Sequence, residues 1–174
     1  MGEIKKTNKE KLVVGFIYKD AGIFGSARKA LVKKFGSADF ESRELDFIYT
    51  DYYNEEMGKG LKRKFLSFNK PVNPGKLAEI KIFANKTEQK FTDGAGKRKI
   101  NIDPGLLSLA NLILATTKNF SHRIYIGKGI YAEVTLQYKD GNFTTLPWTY
   151  PDYASNEYME ILNDIRKKYK EQAV

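Results

Sequence analysis

The sequence predicts an α+β fold with a mainly antiparallel sheet. The first observation is the order of predicted elements in residues 12–101, which is strand, helix, strand, strand, helix, strand. The second is the alternation of apolar and polar side chains in residues 130–138, which is typical of an antiparallel strand with one buried face. The third is an amphipathic stretch at 155–170, which predicts a terminal helix. The six-element order is that of a ferredoxin-like split βαβ core. An added apolar helix, a C-terminal β-meander and the terminal helix complete the predicted fold.

The first half of the chain contains three predicted strands and one helix. Residues 12–18 form an apolar run that is typical of a buried strand. After a turn at 20–25, residues 26–35 place apolar side chains on one helical face, and Gly36 ends the helix. The other two strands are predicted at 40–48 and 62–68.

Residues 76–91 fit both a helix and a strand pattern. The preceding Asn73-Pro74-Gly75 is a helix-initiation signal, with Asn at the N-cap and Pro at the first helical position. Residues 78–84 also alternate between apolar and polar side chains, as a strand would. The capping signal favours the helix.

A second copy of this initiation signal, Asp103-Pro104-Gly105, follows a short strand predicted at 98–101. It makes Asp103 a candidate N-cap. The segment after it, residues 106–117, is apolar on nearly all sides and therefore predicts a central, buried helix. The predicted meander consists of strands at 122–126, 130–138 and 143–147.

Length and composition predict one globular domain over residues 11–174, preceded by a disordered tail at 1–10. The chain has no cysteine, which excludes disulfides, thiolate metal sites and Cys nucleophiles. It has a single histidine, and no ligand spacing indicates a metal site or names a cofactor. No stretch is apolar enough for a signal peptide or a membrane span, so we expect a cytoplasmic protein.

The net charge of +9 is unevenly distributed along the chain. Residues 1–38 carry 9 basic and 3 acidic side chains, and residues 57–99 carry 12 and 3. Between them, residues 39–56 carry 1 basic and 7 acidic side chains. Two basic blocks therefore flank an acidic one. They predict either a surface that binds phosphates or nucleic acid, or an ordinary solvated surface with local ion pairs.

The register of the hairpin at 121–138 follows from its apolar residues. A three-residue loop at 127–129 pairs Ile124 with Ala132 and places every apolar side chain on one face, whereas a one-residue slip inverts the pattern. In this register Arg123 lies opposite Glu133 on the polar face. His122 then lies at the strand entrance, on the apolar side.

Five residues are candidates for a functional site. Arg123 and Glu133 form either a structural cross-strand ion pair or an arginine held ready for a phosphate or carboxylate. Lys118 either ends the preceding element or binds phosphate. His122 and Asp103 are the candidates for handling a proton if the protein catalyses a reaction. Their alternatives are a half-buried, hydrogen-bonded histidine and a helix cap.

Several segments resemble the family called domain of unknown function 4416. They are TDYY at 50–53, EMG at 56–58, LAEIK at 77–81, NIDPG at 101–105, Lys118, HRIY at 122–125, GIYAEVTL at 129–136 and PWTYPDY at 147–153. The resemblance spans about residues 11–168. The resemblance implies a bacterial or archaeal cytoplasmic protein. Some members of the family are labelled GTP-binding, which implies a nucleotide as the ligand. The chain has no G-x-x-x-x-G-K-[ST] loop, which argues against the usual GTPase mechanism.

Three functional hypotheses follow from these observations. The first is a site on the 121–138 hairpin for a phosphorylated small molecule or nucleotide. The second is an RNA-binding module that uses the basic residues of 1–38 and 57–99. The third is a non-catalytic interaction protein.

Overall fold

A computed structural model describes residues 2–172 of the chain, and within them nine strands form a single antiparallel sheet. The strands are β1 (Lys11–Tyr18), β2 (Ala38–Glu41), β3 (Leu45–Asp46), β4 (Lys62–Phe68), β5 (Ile100–Leu107), β6 (Asn111–Thr116), β7 (Ile124–Gly127), β8 (Ile130–Lys139) and β9 (Asn142–Thr145). The helices are α1 (Ala21–Phe35), α2 (Asn54–Met57), α3 (Leu77–Glu88) and α4 (Asn156–Gln172). In this part of the chain no helix combines the length and apolar character needed to cross a bilayer.

The strand order is β2-β4-β1-β5-β6-β8-β7, with β3 beside β4 and β9 beside β8. The first four positions, together with α1 and α3, reproduce the predicted ferredoxin-like core. The predicted α+β class and the C-terminal meander with its terminal helix are confirmed. The sheet is extended beyond that core by β6, β8 and β7.

Helices cover the core strands on both faces. On one face, α1 contributes Leu31 and α3 contributes Ile80 to a cluster with Val14 of β1. On the other face, Leu162 of α4 packs in a cluster with Val13 of β1. All eight residues of β1 are buried because both faces of this strand are covered. This arrangement explains why the sequence of β1 is a continuous apolar run.

The predicted apolar helix at 106–117 is wrong. The chain instead forms the end of β5, a turn at 108–110, and β6. Leu106 packs in a cluster with Leu77 of α3, whereas Leu107 packs in the cluster of α4 on the other face. A strand that is covered on both faces is apolar on both sides, so periodicity does not distinguish it from a buried helix.

Smaller differences concern element boundaries. α1 begins at Ala21 rather than at residue 26, because the Asp20 carboxylate accepts hydrogen bonds from the backbone N–H groups of Gly22 and Ile23. The single strand predicted at 40–48 is divided into β2 and β3. Residues 77–88 form the helix that the Asn73 capping signal favours, and Asn73 accepts a hydrogen bond from the Gly75 N–H.

The sheet forks between β5 and β6. These strands pair over only three residues each, from Gly105 opposite Leu114 to Leu107 opposite Leu112. β5 pairs with β1, and β6 with β8, along their whole lengths, so within the described residues the facing edges of β5 before Gly105 and of β6 after Leu114 have no partner strand. At the apex a Cβ on Gly105 would lie 2.6 Å from the carbonyl oxygen of Ile113. Glycine at this position therefore allows the two backbones to meet before they diverge.

The hairpin has the predicted pairing of Ile124 with Ala132 and of Tyr125 with Tyr131, but neither the predicted loop nor the predicted burial. A bulge at Ile126 pairs Gly127 with Ile130, so a two-residue turn at 128–129 replaces the predicted three-residue loop at 127–129. Ile124 is 71 % exposed rather than buried. The reason is that β7 is the last strand of the sheet, so its apolar side chains have no neighbouring layer.

Candidate functional site

A cavity of about 740 Å³ opens at the fork between β5 and β6. Asp103 on the β5 arm and Lys118 just after the β6 arm both line it. Side chains from α3, β4 and β8 and from the segments around Tyr52 and Tyr150 complete the wall. The fork therefore brings polar groups that are distant in sequence into one enclosure.

Glu133 of β8 is the most buried acid in this wall, with 1 % of its side chain exposed. Its Oε2 accepts a hydrogen bond from Arg123 Nε at 2.6 Å and lies 3.0 Å from His122 Nε2. Its Oε1 has no hydrogen-bond partner among residues 2–172. The structure therefore pairs Arg123 with Glu133, as the hairpin register predicts, and leaves one buried carboxylate oxygen without a partner in the described residues.

Arg123 also connects the hairpin to the other walls of the cavity. Its Nη1 donates to the carbonyl oxygen of Lys118 at 3.1 Å, and its Nη2 donates to the Tyr150 hydroxyl at 2.6 Å. Lys118 Nζ in turn donates to the Tyr52 hydroxyl at 2.5 Å and lies 4.3 Å from the centre of that ring. Within the described residues Lys118 has no carboxylate within 4.0 Å. Its charge is therefore available to a ligand.

His122 contacts Glu133 but does not line the cavity. Its ring stacks on Trp148, with ring centres 5.0 Å apart and an angle of 9° between the planes. Its side chain is 12 % exposed and lies within hydrogen-bond distance of Glu133, as expected for the half-buried, hydrogen-bonded alternative to a catalytic histidine, although the ring packs on Trp148 rather than in a core cluster. This geometry indicates a residue that holds Glu133 in place.

Asp103 is a strand residue, so the expectation that it caps a helix is wrong. Its Oδ1 accepts a hydrogen bond from Lys81 Nζ at 3.2 Å, and its Oδ2 accepts one from the Asn101 amide. Lys81 also donates to the carbonyl oxygen of Ile102 at 3.0 Å. The fork explains this arrangement. At Asp103 strand β5 is no longer paired with β6, so Lys81 of α3 reaches that edge of β5.

Arg63 of β4 is the most deeply buried basic residue of the cavity wall, with only 2 % of its side chain exposed. Its Nη2 donates to Asp152 at 2.5 Å and its Nε donates to the Tyr158 hydroxyl at 3.1 Å. Its Nη1 has no hydrogen-bond partner in the described part of the chain. The guanidinium carbon lies between 5.2 and 5.6 Å from the centres of four aromatic rings. Gly15 of β1 leaves room for this guanidinium, because a Cβ there would lie 2.8 Å from Nη1.

A second arginine, Arg98, connects α2 to the rest of the wall. It donates to both carboxylate oxygens of Glu56, at 2.7 and 2.8 Å, and to Glu88 at 3.0 Å. These hydrogen bonds to the Glu56 carboxylate raise the pKa of Arg98. Glu88 also accepts the backbone N–H of Ile102 at 2.6 Å, and burial raises the pKa of this carboxyl. This network fixes the segment that carries Tyr52 against β5.

The charges in the wall are mixed, with a small basic excess. The basic side chains are Arg63, Lys81, Arg98, Lys118 and Arg123. The acidic side chains are Glu88, Asp103, Glu133 and Asp152. Within residues 2–172 no cluster of three or more His, Asp or Glu side chains is arranged to hold a metal ion. The ionisable groups of this wall are guanidinium, ammonium, carboxylate and phenol groups.

The structure places Lys118, Arg123, Glu133 and Asp103, which the sequence analysis named as candidates, in the cavity wall, together with Arg63, which it did not name. The signal for Arg63 was its place in β4, where it shares one face of the strand with Phe65. A charged residue on the apolar face of a central strand indicates either a buried ion pair or a ligand contact.

The model of one protein family, described as "Domain of unknown function (DUF4416)", matches residues 8–169. The chain belongs to this family. Neither a curated protein nor a solved structure matches the chain. The segments that carried the resemblance to DUF4416 supply much of the cavity wall, including Tyr52, Lys81, Asp103, Glu133 and Tyr150.

Proposed function

We propose that the cavity at the fork binds a phosphorylated small molecule of nucleotide size. Its volume of about 740 Å³ lies within the roughly 300–1,000 Å³ of typical small-molecule sites. A ligand of this size is large enough to contact both arms of the fork.

The observation that carries the proposal is the unpaired Nη1 of Arg63. A buried donor without a partner costs about 1–3 kcal/mol, and more when the group is charged. Nη1 is buried from solvent, so an anionic ligand oxygen would satisfy this donor after a small shift of the cavity wall, and it would be held by a guanidinium that Asp152 and Tyr158 already orient. Phosphate oxygens suit this position because they accept charge-assisted hydrogen bonds from arginine.

Lys118 provides a second positive charge for the same ligand. It has no ion pair in the described residues, and Tyr52 holds its ammonium group at the wall. Arg123 already donates hydrogen bonds to Glu133 and to the Tyr150 hydroxyl, so we assign it to orienting Glu133 rather than to direct phosphate binding.

The unpaired Oε1 of Glu133 restricts the ligand further. A buried carboxylate oxygen requires a hydrogen-bond donor, so the ligand carries an N–H or O–H group as well as its phosphate. The sugar hydroxyls and base amino groups of a nucleotide meet this requirement. Tyr52, Tyr53 and Tyr150 supply aromatic surface against which a base would pack.

The geometry supports binding rather than a reaction. Both carboxylate oxygens of Asp103 already accept hydrogen bonds, and His122 lies outside the cavity wall. We therefore assign a positioning role to both candidates for proton transfer.

A thermal-shift panel at constant ionic strength tests this function. ATP, GTP, AMP, a hexose phosphate and inorganic phosphate would be compared with their unphosphorylated counterparts. A ligand present at 100 times its Kd stabilises the folded state by about 2.7 kcal/mol. That corresponds to a Tm increase of roughly 5–10 °C for a chain of this length.

Lys118→Ala should remove most of this shift, because it deletes the available ammonium group. Lys139→Ala is the matched control, since Lys139 is an exposed strand lysine outside the cavity. The proposal fails if no phosphorylated compound raises the Tm, or if both variants reduce the shift equally.

A further inference from the structure

A second concave surface lies on the other side of α3 and is separate from the fork cavity. This lysine groove, of about 530 Å³, lies between the end of α1, the segment 70–73 and the face of α3 that carries Phe83 and Lys86. The fork cavity instead uses Lys81, Asn85 and Glu88 of the same helix. Helix α3 therefore separates two differently lined recesses.

The charge of the lysine groove is strongly basic. Its charged side chains are Lys9, Lys34, Lys70, Lys76, Lys86 and Glu79. The single acid is already engaged, because Glu79 lies 3.1 Å from Lys76 Nζ and 2.9 Å from Lys128 Nζ. Within residues 2–172 the other four lysines have no carboxylate within 4.0 Å.

The acidic block at 39–56 does not neutralise the lysine groove. Glu41 pairs with Arg28 and Lys64, and Glu56 pairs with Arg98. Lys9 and Lys34 belong to the first basic block, and Lys70, Lys76 and Lys86 belong to the second. The fold thus brings lysines of both basic blocks together around one groove, while the acidic residues of block 39–56 that form ion pairs do so outside it.

The floor of the lysine groove is apolar and aromatic. Phe35 and Phe83 pack edge to face, with ring centres 5.5 Å apart, and are half-buried beside Pro71 and Val72. Lysines around an aromatic floor suit a chain that alternates phosphates with flat bases. A lipid surface is flat and would contact the rim of this groove but not its floor. A duplex is too wide to enter a recess of this volume.

We propose that the lysine groove binds single-stranded nucleic acid, with phosphates on the unpaired lysines and a base against Phe83. This site is independent of the fork cavity and of the ligand proposed there.

Fluorescence anisotropy with a labelled 12-nucleotide uridine RNA tests the proposal on the full chain. Single-strand binding loses affinity with a log–log salt slope of about −0.7 per phosphate contact. Contacts from four lysines give a slope of about −3, so affinity should fall roughly 50-fold between 50 and 200 mM KCl.

The charge-reversal variant K34E/K86E should weaken RNA binding at least about tenfold and reduce the magnitude of the slope by about 1.4. K167E/K168E is the matched control, because it makes the same charge change at exposed positions of α4. We expect the control to change affinity by less than about threefold. K34Q/K86Q repeats the test if the charge reversal prevents folding.

Further probes distinguish single-stranded nucleic acid from other ligands of the lysine groove. A strand of abasic nucleotides should bind more weakly than the uridine strand, and phosphatidylserine vesicles should not compete with RNA. Equal weakening by the two charge-reversal variants, equal binding of the abasic strand or displacement by vesicles would each overturn the proposal. K34E/K86E should keep any ligand-induced Tm shift of the fork cavity, so failure of one site is distinguishable from failure of the other.

Discussion

Replacing Arg63 by methionine should be strongly destabilising, and a second substitution at Asp152 should partly reverse the loss. Methionine fills much of the space of the arginine stem but leaves the Asp152 carboxylate without its cation. The two side chains are 2 % and 9 % exposed, and their charged atoms lie 2.5 Å apart. Removing one partner of a buried ion pair typically costs about 3–5 kcal/mol.

The lower part of this range applies to Arg63→Met, about 3 kcal/mol, because Asp152 retains the hydrogen bond from the backbone N–H of Tyr153. Asp152→Asn alone should also cost about 3 kcal/mol, because it leaves the Arg63 guanidinium, which is 2 % exposed, without its carboxylate. In the double variant no buried charge remains. It should therefore be more stable than Arg63→Met by about 1–2 kcal/mol.

Urea unfolding at pH 7 of the wild type, both single variants and the double variant measures these free energies of unfolding. Lys62→Met is the matched control on the same strand, because Lys62 and its partner Asp46 are 38 % and 72 % exposed. An exposed pair of this kind contributes about 0–1 kcal/mol. Strict additivity of the two substitutions, or a double variant less stable than Arg63→Met, would refute the account of this pair.

Two further predictions concern the core and the fork. Asp39→Asn should cost about 3 kcal/mol at pH 7, because it leaves the ammonium group of Lys11, which is 0 % exposed, without its carboxylate. Burial alone would raise the pKa of Asp39, but hydrogen bonds from Lys11 and Ser67 outweigh it and hold the pKa below 3.8. The stability from Asp39 is therefore present above pH 3.8 and is lost as the pH falls through the lower folded pKa. The difference between wild type and Asp39→Asn in urea unfolding should shrink below that pH, and a constant difference would be inconsistent with this reasoning. Gly105→Ala should cost about 1–3 kcal/mol, because the new Cβ meets the Ile113 carbonyl oxygen at 2.6 Å. Gly94→Ala meets nothing within 4 Å and should be nearly neutral by thermal unfolding, so equal losses would contradict the close approach at the fork.

The ferredoxin-like core was predictable because its signals are local. The continuous apolar run of β1, the Asn73 cap of α3 and the amphipathic face of α4 each identify an element without reference to the rest of the chain. The error at 106–117 has a physical cause, since β5 and β6 are covered on both faces and lack the period-2 pattern of a half-exposed strand.

The hairpin part of the site was also predictable, because the alternation of apolar and polar residues determines which residues lie opposite each other, even though the loop was predicted one residue too long. Arg123 and Glu133 meet for that reason. Burial of Ile124 was predicted wrongly, because alternation does not reveal that β7 is the edge of the sheet.

The cavity itself was not predictable from local patterns. It exists because β5 and β6 separate after three paired residues, and because α3 and β4 then contribute Lys81 and Arg63 from distant parts of the chain. Such contacts depend on tertiary packing. The same is true of the lysine groove, which joins two basic blocks that the sequence separates with an acidic one.

The most direct test of the central claim is a crystal structure with the phosphorylated compound that gives the largest thermal shift. The account predicts a phosphate oxygen within hydrogen-bond distance of Arg63 Nη1 and Lys118 Nζ, and a ligand N–H or O–H group donating to Glu133 Oε1. A ligand bound elsewhere, with Arg63 Nη1 still unpaired, would contradict it.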